Sequence, residues 1–214
     1  MSEILLIDKP SGITSFDVIR QLRKKLGVRK MGHAGTLDPL ATGLLIIGVG
    51  ESTKKLDEYL KLPKIYRAGI LLGEKRTTGD MGGEIVETAL IPEISDSTIA
   101  KVLSSLIGET ELPVPAYSAI KVNGKRLYAK ARKNEEFTPP LRTMRVMSVT
   151  LSDSERQGDK MVIRVELEVG SGTYIRSLAE EVGRRLGYPA TLAQLRRTSI
   201  GEFKVEHAKK LEEI

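Results

Sequence analysis

The stretch Gly32-His33-Ala34-Gly35-Thr36-Leu37-Asp38-Pro39-Leu40-Ala41-Thr42-Gly43 is the most informative part of this chain. Asp38 stands before a proline, which fixes its own φ and pushes the preceding residue away from helical geometry. The sequence therefore predicts that Asp38 lies in a defined turn, directly before the apolar strand 44–49. Gly, Asp and Pro are also ordinary turn residues. An ordered loop at the rim of a strand is nevertheless where catalytic side chains tend to lie.

The composition of the chain excludes several classes of protein. The chain has 214 residues, 40% of them hydrophobic, which is enough for a sizeable core. It has no cysteine and two histidines, so we expect no disulfide and no metal site. No apolar run is long enough to cross a bilayer, and residues 1–12 show no signal-peptide pattern. These features favour a cytoplasmic protein with no membrane partner.

Basic residues form three clusters along the chain. The net charge of +6, from 34 basic and 28 acidic residues, is only a weak indication of a polyanion partner. The clusters lie in Arg20–Lys30, in Lys121–Lys133, and around Arg184, Arg185, Arg196 and Arg197. Each could be a solvated surface, but together they favour nucleic acid.

The hydrophobic pattern predicts alternating strands and helices. We expect a helix over Ser15–Leu26, with Ser15 as its cap and Gly27 at its end, followed by strand 44–49. Alternation predicts strands over 65–72 and 161–169, and a final strand near Ser199–Val205. Strand pairs joined locally indicate an α+β fold with a largely antiparallel sheet.

Residues 116–142 differ from the rest of the chain, because they are rich in proline and charge and poor in large apolar residues. We interpret them as an excursion from a single domain, formed by a hairpin and a short helix that contact a partner. Loops of this length without a function are uncommon.

Five segments resemble the TruB family of tRNA pseudouridine synthases, in the family's order and spacing. They are Gly32–Leu45, Leu5–Gly12, Lys64–Arg67, Tyr117–Tyr128 and Gly172–Leu178, with Leu195-Arg196-Arg197 after them. The resemblance covers nearly the whole chain. It implies the pseudouridine-synthase fold, a mixed, mostly antiparallel sheet flanked by helices, with residues 116–142 as an RNA-gripping insertion.

The resemblance also implies the catalytic residues. Pseudouridine formation breaks the C1′–N1 bond of uridine, turns the base and joins C5 to C1′, so it needs no cofactor. Asp38 matches the family's catalytic carboxylate, Arg176 the guanidinium that keeps it ionised, and Tyr66 the tyrosine that stacks on the base and serves the C5 proton transfer. Whether Asp38 attacks C1′ or C6, or assists glycal formation, stays open.

Further residues are implied to bind the substrate. His33 matches the histidine that fills the space left by the flipped base, and Lys9 lies in the motif that supports the active site. Tyr174 and Leu195 either line the pocket or belong to the core. Lys121, Lys125 and Arg126 lie in the RNA-gripping insertion.

The function implied is isomerisation of uridine 55 in the T-loop of tRNA by a monomer. Two alternatives are a guide-RNA-dependent enzyme acting on ribosomal RNA and a non-catalytic RNA-binding protein or tRNA-folding chaperone. The run Arg76–Asp80 departs from the family's Thr-Asp-Thr pattern, so the contacts of that loop are in question. Because the chain stops at Ile214, we expect no C-terminal PUA-like RNA-binding domain and weaker RNA affinity than in longer relatives.

Overall fold

The computed structural model describes residues 3–118, 120–122, 125–127 and 137–214, and for residues 121, 122, 125 and 126 it describes the backbone alone. The helices are α1 Ser15–Leu26, α2 Leu56–Lys61, α3 Asp96–Ser104 and α4 Ile175–Leu186. Short 3-10 helices cover Gly50–Lys55, Val205–His207 and Leu211–Glu213. The strands are β1 Glu3–Lys9, β2 Met31–Ala34, β3 Thr42–Val49, β4 Lys64–Leu72, β5 Glu74–Arg76, β6 Ile85–Thr88, β7 Gly108–Pro113, β8 Lys121–Val122, β9 Lys125–Arg126, β10 Leu141–Gln157, β11 Lys160–Val169, β12 Ala190–Ile200 and β13 Phe203–Lys204.

The strands form one large sheet and two small ones. The large sheet has the order β1-β3-β12-β4-β11-β10-β7, with β2 also paired to β3 and β13 to β12. The β1–β3, β2–β3, β7–β10 and β12–β13 pairs are antiparallel, whereas β12 runs parallel to β3. The strands β5–β6 and β8–β9 form two-stranded sheets. The predicted α+β class with a mostly antiparallel sheet is confirmed.

The chain divides into two compact units. The first consists of Met1–Ala68, Glu166–Ser171 and Gln194–Ile214, and the second of Gly69–Val165 and Gly172–Ala193. The strands β4, β11 and β12 each contribute residues to both units.

The core of the first unit lies on both faces of β3. Leu45, Ile47 and Val49 pack with the α1 face that carries Val18 and Leu22, and alternate β3 residues join a second apolar cluster. A strand covered on both faces needs apolar residues at every position, which explains the unbroken run in β3.

The start of α1 differs from the sequence prediction in one detail. The cap is Thr14, not Ser15: its hydroxyl accepts a hydrogen bond from the amide of Asp17, and the Asp17 carboxylate accepts one from the amide of Thr14. This reciprocal pair satisfies two backbone donors at the helix start. Gly27 ends the helix in the left-handed conformation, as predicted.

The second unit packs helices against the β7–β10 pair. Helix α3 contacts both β10 and α4, and α4 contacts β7. The apolar side of β11 is buried as its alternation predicted, from Met161 to Val169. The expected final strand begins earlier than predicted, because β12 starts at Ala190.

Candidate active site

The loop that carries Asp38 is tied to the start of α1. The amide of Leu37 donates to Ser15 Oγ at 2.9 Å, and Ser15 Oγ donates back to the Leu37 carbonyl at 3.2 Å. The amide of Gly12 donates to the carbonyl of Pro39 at 2.8 Å. The residues on both sides of Asp38 are therefore fixed, as a catalytic carboxylate requires.

Lys9 lies beneath this loop and is fully buried. Its Nζ donates to the carbonyls of Pro10, Ile13 and Pro39 at 2.9, 2.7 and 3.2 Å. Burial lowers the pKa of Lys9 to about 8, although the charge of Asp38 opposes the shift. At neutral pH the amine is a buried cation that interacts with Asp38. Lys9 has no exposed surface, so its predicted contact with substrate stays a prediction.

Arg197 is the most deeply buried arginine of the first unit, with 1% of its surface exposed. Its Nε donates to the carbonyl of Leu44 at 2.8 Å and its Nη2 to the carbonyl of Gly35 at 3.0 Å. The sequence placed Arg197 in a basic cluster expected to face nucleic acid or solvent, but the structure buries this side chain. The sequence feature that could have predicted this burial is the alternation of side chains in β12, which puts Arg197 on the same face as buried Ser199.

The other members of that basic cluster are engaged in ion pairs. Arg196 binds both carboxylate oxygens of Asp8, at 3.0 and 2.7 Å. Arg184 and Arg185 both pair with Glu181. Their charges are partly compensated, so this cluster offers less positive surface than the sequence suggested.

Tyr66 and His33 both interact with Arg197. The phenol oxygen of Tyr66 lies 3.5 Å from Arg197 Nη1, and the ring centroid lies 6.0 Å from the guanidinium carbon. Burial, and then the charge of Arg197, lower the pKa of His33 below its ordinary value, so the imidazole is neutral at pH 7. Its Nδ1 is buried and has no hydrogen-bond partner in the part of the chain that the structure describes.

Leu195 belongs to the same unit and is half-buried. Its carbonyl accepts a hydrogen bond of 3.5 Å from Thr42 Oγ1. The next two residues of β12, Arg196 and Arg197, pair in parallel with Thr42 and Gly43 of β3. The first unit contains five of the predicted site residues, namely Lys9, His33, Asp38, Tyr66 and Leu195.

Arg176 and Tyr174 lie at the start of α4 in the second unit. Arg176 is 6% exposed, and its guanidinium donates to the carbonyls of Thr78 and Tyr117 at 2.9 and 3.1 Å. Asp80 lies 3.9 Å from Arg176 Nη1 and accepts a hydrogen bond of 2.7 Å from Thr78 Oγ1. The loop that departs from the family pattern therefore keeps a carboxylate next to Arg176.

Tyr174 is half-buried at the N-cap position of α4. Its amide lies 3.4 Å from the sulfur of Met144. The choice between pocket and core for Tyr174 and Leu195, and the pairing of Asp38 with Arg176, stay predictions.

The predicted insertion is described only in part. The backbones of Lys121 and Val122 pair with those of Arg126 and Lys125 in a two-stranded sheet. The side chains of Lys121, Lys125 and Arg126 lie outside the described residues, as does the segment 128–136. Their predicted contact with RNA therefore stays a prediction.

Within the described ranges, no three His, Cys, Asp or Glu side chains are grouped closely enough to hold a metal ion. No helix in that part of the chain is both long and apolar enough to span a bilayer.

Comparison with known proteins gives consistent matches. A family model described as the N-terminal domain of TruB family pseudouridylate synthases matches residues 23–175. The tRNA pseudouridine synthase B of Leifsonia xyli subsp. xyli (strain CTCB07) is 45% identical over 98% of this chain and 70% of its own length.

Solved structures match over the whole chain as well. One chain of a Cbf5-Nop10-Gar1 complex is 30% identical, with a TM-score of 0.72, over 98% of this chain and 52% of that chain. A chain of an H/ACA RNP bound to a substrate RNA containing 2′-deoxyuridine is 27% identical, with a TM-score of 0.69, over 98% and 51%. This chain thus spans about half the length of these solved chains.

Proposed function

The chain belongs to the TruB family of pseudouridylate synthases, and from that premise we propose that it converts a uridine of tRNA to pseudouridine. The proposed target is uridine 55 in the T-loop, bound through the T-stem-loop of tRNA. We further propose that the protein acts as a monomer in the cytoplasm. The name of the Leifsonia xyli relative supports tRNA as the substrate class.

Asp38 is the proposed catalytic carboxylate, and the fixed loop around it is the single observation that carries the proposal. Ser15 and Gly12 hold the residues on either side of it. The carboxylate assists the breaking of the C1′–N1 bond, as a nucleophile or by promoting glycal formation. The Lys9 cation favours the ionised form of Asp38, because an opposite charge nearby stabilises the anion.

The target base must leave its stack before it can react, at a cost of a few kcal/mol. A neutral, largely buried His33 suits a residue that fills the space of the everted base, because it brings no charge into the stack. Tyr66 is the proposed partner that stacks on the uracil and takes the proton from C5 after the new C5–C1′ bond has formed.

Arg176 is the proposed cation opposite Asp38. Its guanidinium is oriented by the carbonyls of Thr78 and Tyr117 and by the carboxylate of Asp80. A guanidinium held from several sides loses little conformational freedom when it binds a further carboxylate.

An exposed surface on α1 supports RNA as the partner. Phe16 is 53% exposed, and the guanidinium carbons of Arg20 and Arg23 lie 5.8 and 5.7 Å from its ring centroid. An exposed aromatic ring beside cations is typical of surfaces that bind bases and phosphates. The insertion 116–142 is proposed to add further contacts.

A guide-RNA-dependent enzyme is the second candidate, since the Cbf5 and H/ACA RNP chains are structurally similar to this one. The higher identity to tRNA pseudouridine synthase B favours the first candidate. The two differ in whether guide RNA is needed.

The test is incubation of the purified protein with an unmodified tRNA transcript, without guide RNA, followed by mapping of pseudouridine. We expect one modified position, in the T-loop. Asp38→Asn should lose about a thousandfold or more of the rate while retaining RNA affinity. The matched control is Asp57→Asn, an exposed carboxylate on α2, which should leave the rate unchanged. Absence of product from the unmutated protein, or turnover by Asp38→Asn, would overturn the proposal.

A further inference from the structure

Arg197 is charged and buried, and none of the roles proposed above uses it. We propose that Arg197 is a positioning residue for Tyr66, whose guanidinium orients the phenol oxygen and stabilises the phenolate formed during proton transfer. The inference rests on the proposed function, since it concerns the two proton transfers of that reaction, from Tyr66 to N1 and from C5 to Tyr66.

The guanidinium joins three segments of the first unit. Its donors reach the carbonyl of Leu44 in β3, the carbonyl of Gly35 before the Asp38 loop, and the phenol oxygen of Tyr66 in β4. The two carbonyl contacts, at 2.8 and 3.0 Å, fix the plane of the group. The longer contact of 3.5 Å to Tyr66 is one that shortens if the oxygen becomes charged.

The contacts of Arg197 in the part of the chain that the structure describes are with neutral oxygen acceptors. Among the residues that the structure describes, no Asp or Glu lies within ion-pair distance of this guanidinium. A buried cation held only by neutral acceptors is unfavourable in the resting protein, because carbonyl groups replace its hydration incompletely. Such an arrangement becomes favourable when an anion forms nearby, as in electrostatic stabilisation of a reaction intermediate.

Arg197 differs from the titratable groups around it, which are His33, Lys9 and Lys64. Its charge contributes to the lowered pKa of His33, of Lys9 and of Lys64, after burial in each case. The pKa values of Lys9 and Lys64 are about 8, so both amines approach neutrality at mildly alkaline pH. A guanidinium keeps its proton throughout this range and can stabilise a phenolate without competing for the proton.

The proton transfer balances without a co-reactant. When the C1′–N1 bond breaks, N1 keeps the electron pair and receives the phenol proton of Tyr66, which leaves a phenolate. After C5 has bonded to C1′, the C5–H bond breaks, its electrons return to the ring, and its proton moves to the phenolate oxygen. The net result is one proton moved from C5 to N1, and the transient phenolate on Tyr66 is stabilised by the N–H that Arg197 donates to it.

A double-mutant cycle with Arg197→Lys and Tyr66→Phe tests this role. Single-turnover rates on an unmodified tRNA transcript are measured from neutral to alkaline pH, together with RNA affinity. We expect Arg197→Lys to slow the rate about tenfold to a hundredfold with unchanged affinity, and to slow the Tyr66→Phe variant less than about threefold. With deuterium at C5 of the target uridine, Arg197→Lys should show an isotope effect no larger than that of the unmutated enzyme, because the variant slows formation of the phenolate and not removal of the C5 proton.

A second comparison does not require the Arg197 variant to fold. Tyr66→Phe removes the acceptor of a buried guanidinium N–H, whereas the hydroxyl of the control residue Tyr59 makes no hydrogen bond within the described part of the chain. Tyr66→Phe should therefore lower the melting temperature about 3–6 °C more than Tyr59→Phe. Equal melting temperatures would show that the contact is not made.

The outcomes separate this inference from the proposed function. If the unmutated enzyme forms product, and Arg197→Lys slows it by the same factor as it slows the Tyr66→Phe variant, the inference is wrong but the proposed function stands. Absence of product from the unmutated enzyme overturns the proposed function, and this inference with it.

Discussion

Gly43 is the position where the structure makes its sharpest stability prediction. Its φ is +102°, and a Cβ built there would lie 2.2 Å from the carbonyl oxygen of Arg197 and 2.8 Å from its amide nitrogen. Both atoms belong to the backbone of β12, which pairs here with β3. Gly43→Ala therefore forces the two strands apart, because no side-chain rotation can relieve a contact with backbone.

The magnitude follows from two contributions. A non-glycine residue at positive φ costs about 1–2 kcal/mol. Moving the strands by about 1 Å or more, the distance needed to reach ordinary carbon–oxygen contact, weakens the ladder at Arg196 and Arg197 and adds about 2–3 kcal/mol. We expect a total loss of about 3–5 kcal/mol for Gly43→Ala.

Gly27→Ala is the matched control. Gly27 also has a positive φ, +67°, but a Cβ there would meet nothing within 4 Å. It should cost only about 1 kcal/mol, the strain of the left-handed conformation. The difference between the two variants isolates the close approach of β3 and β12 from the effect of backbone conformation.

The assay is urea unfolding of both variants and the unmutated protein, with thermal unfolding as a check. For a chain of this size each kcal/mol lowers the melting temperature by about 2–4 °C. If Gly43→Ala and Gly27→Ala lose the same stability within about 1 kcal/mol, the packing of β12 on β3 described here is wrong.

Two further predictions concern buried charges. The native pKa of Lys9, about 8, lies below its ordinary value of 10.5. The folded protein therefore releases this proton first as the pH rises, and unfolding free energy should increase between about pH 8 and 10.5, by about 3 kcal/mol for this residue. In Lys9→Met the rise in unfolding free energy with pH should be smaller by this amount, while the similar contribution of Lys64 remains. The rise is measured by urea unfolding at pH 8 and at pH 10.5. An equal rise in the variant and the unmutated protein would contradict the burial of Lys9. In the second unit, burial raises the pKa of Glu74, but hydrogen bonds from Lys160 and Arg76 outweigh burial and hold it below its ordinary value. Glu74→Gln leaves both cations without their carboxylate and should lose about 3 kcal/mol of unfolding free energy at pH 7, against less than about 1 kcal/mol for the exposed control Glu166→Gln. Similar losses for the two variants would show that the Glu74 ion pairs are not buried.

Much of the fold was predictable because it depends on local patterns. The alternation in β11 and the helical spacing in α1 each place one apolar face toward a core, and the structure buries those faces. The left-handed Gly27 ended α1 where the sequence predicted. Ser15 was mistaken for the cap because Thr14 and Ser15 are both suitable residue types, and only the position of Asp17 relative to Thr14 favours the former.

Residue type and motif predicted which residues belong to the candidate site, and their roles stay predictions. Asp38, Tyr66, His33 and Lys9 all lie in the first unit, and Arg176 keeps a carboxylate neighbour in the second. The burial of Arg197 was not predictable in this way, because a charged residue next to another arginine is usually solvated.

The sequence by itself determined the fold class, the helix over Ser15–Leu26, the turn that holds Asp38 and the family to which the chain belongs. Only the tertiary structure decided that Lys9 and Arg197 are buried cations, and that Gly43 must be glycine to admit the backbone of Arg197. The reason is physical: periodicity and turn chemistry depend on neighbours within a few residues, whereas burial of a charge depends on carbonyl groups that distant segments supply. Arg197 takes its acceptors from Gly35 and Leu44, more than 150 residues away in the chain, and no local pattern records that contact.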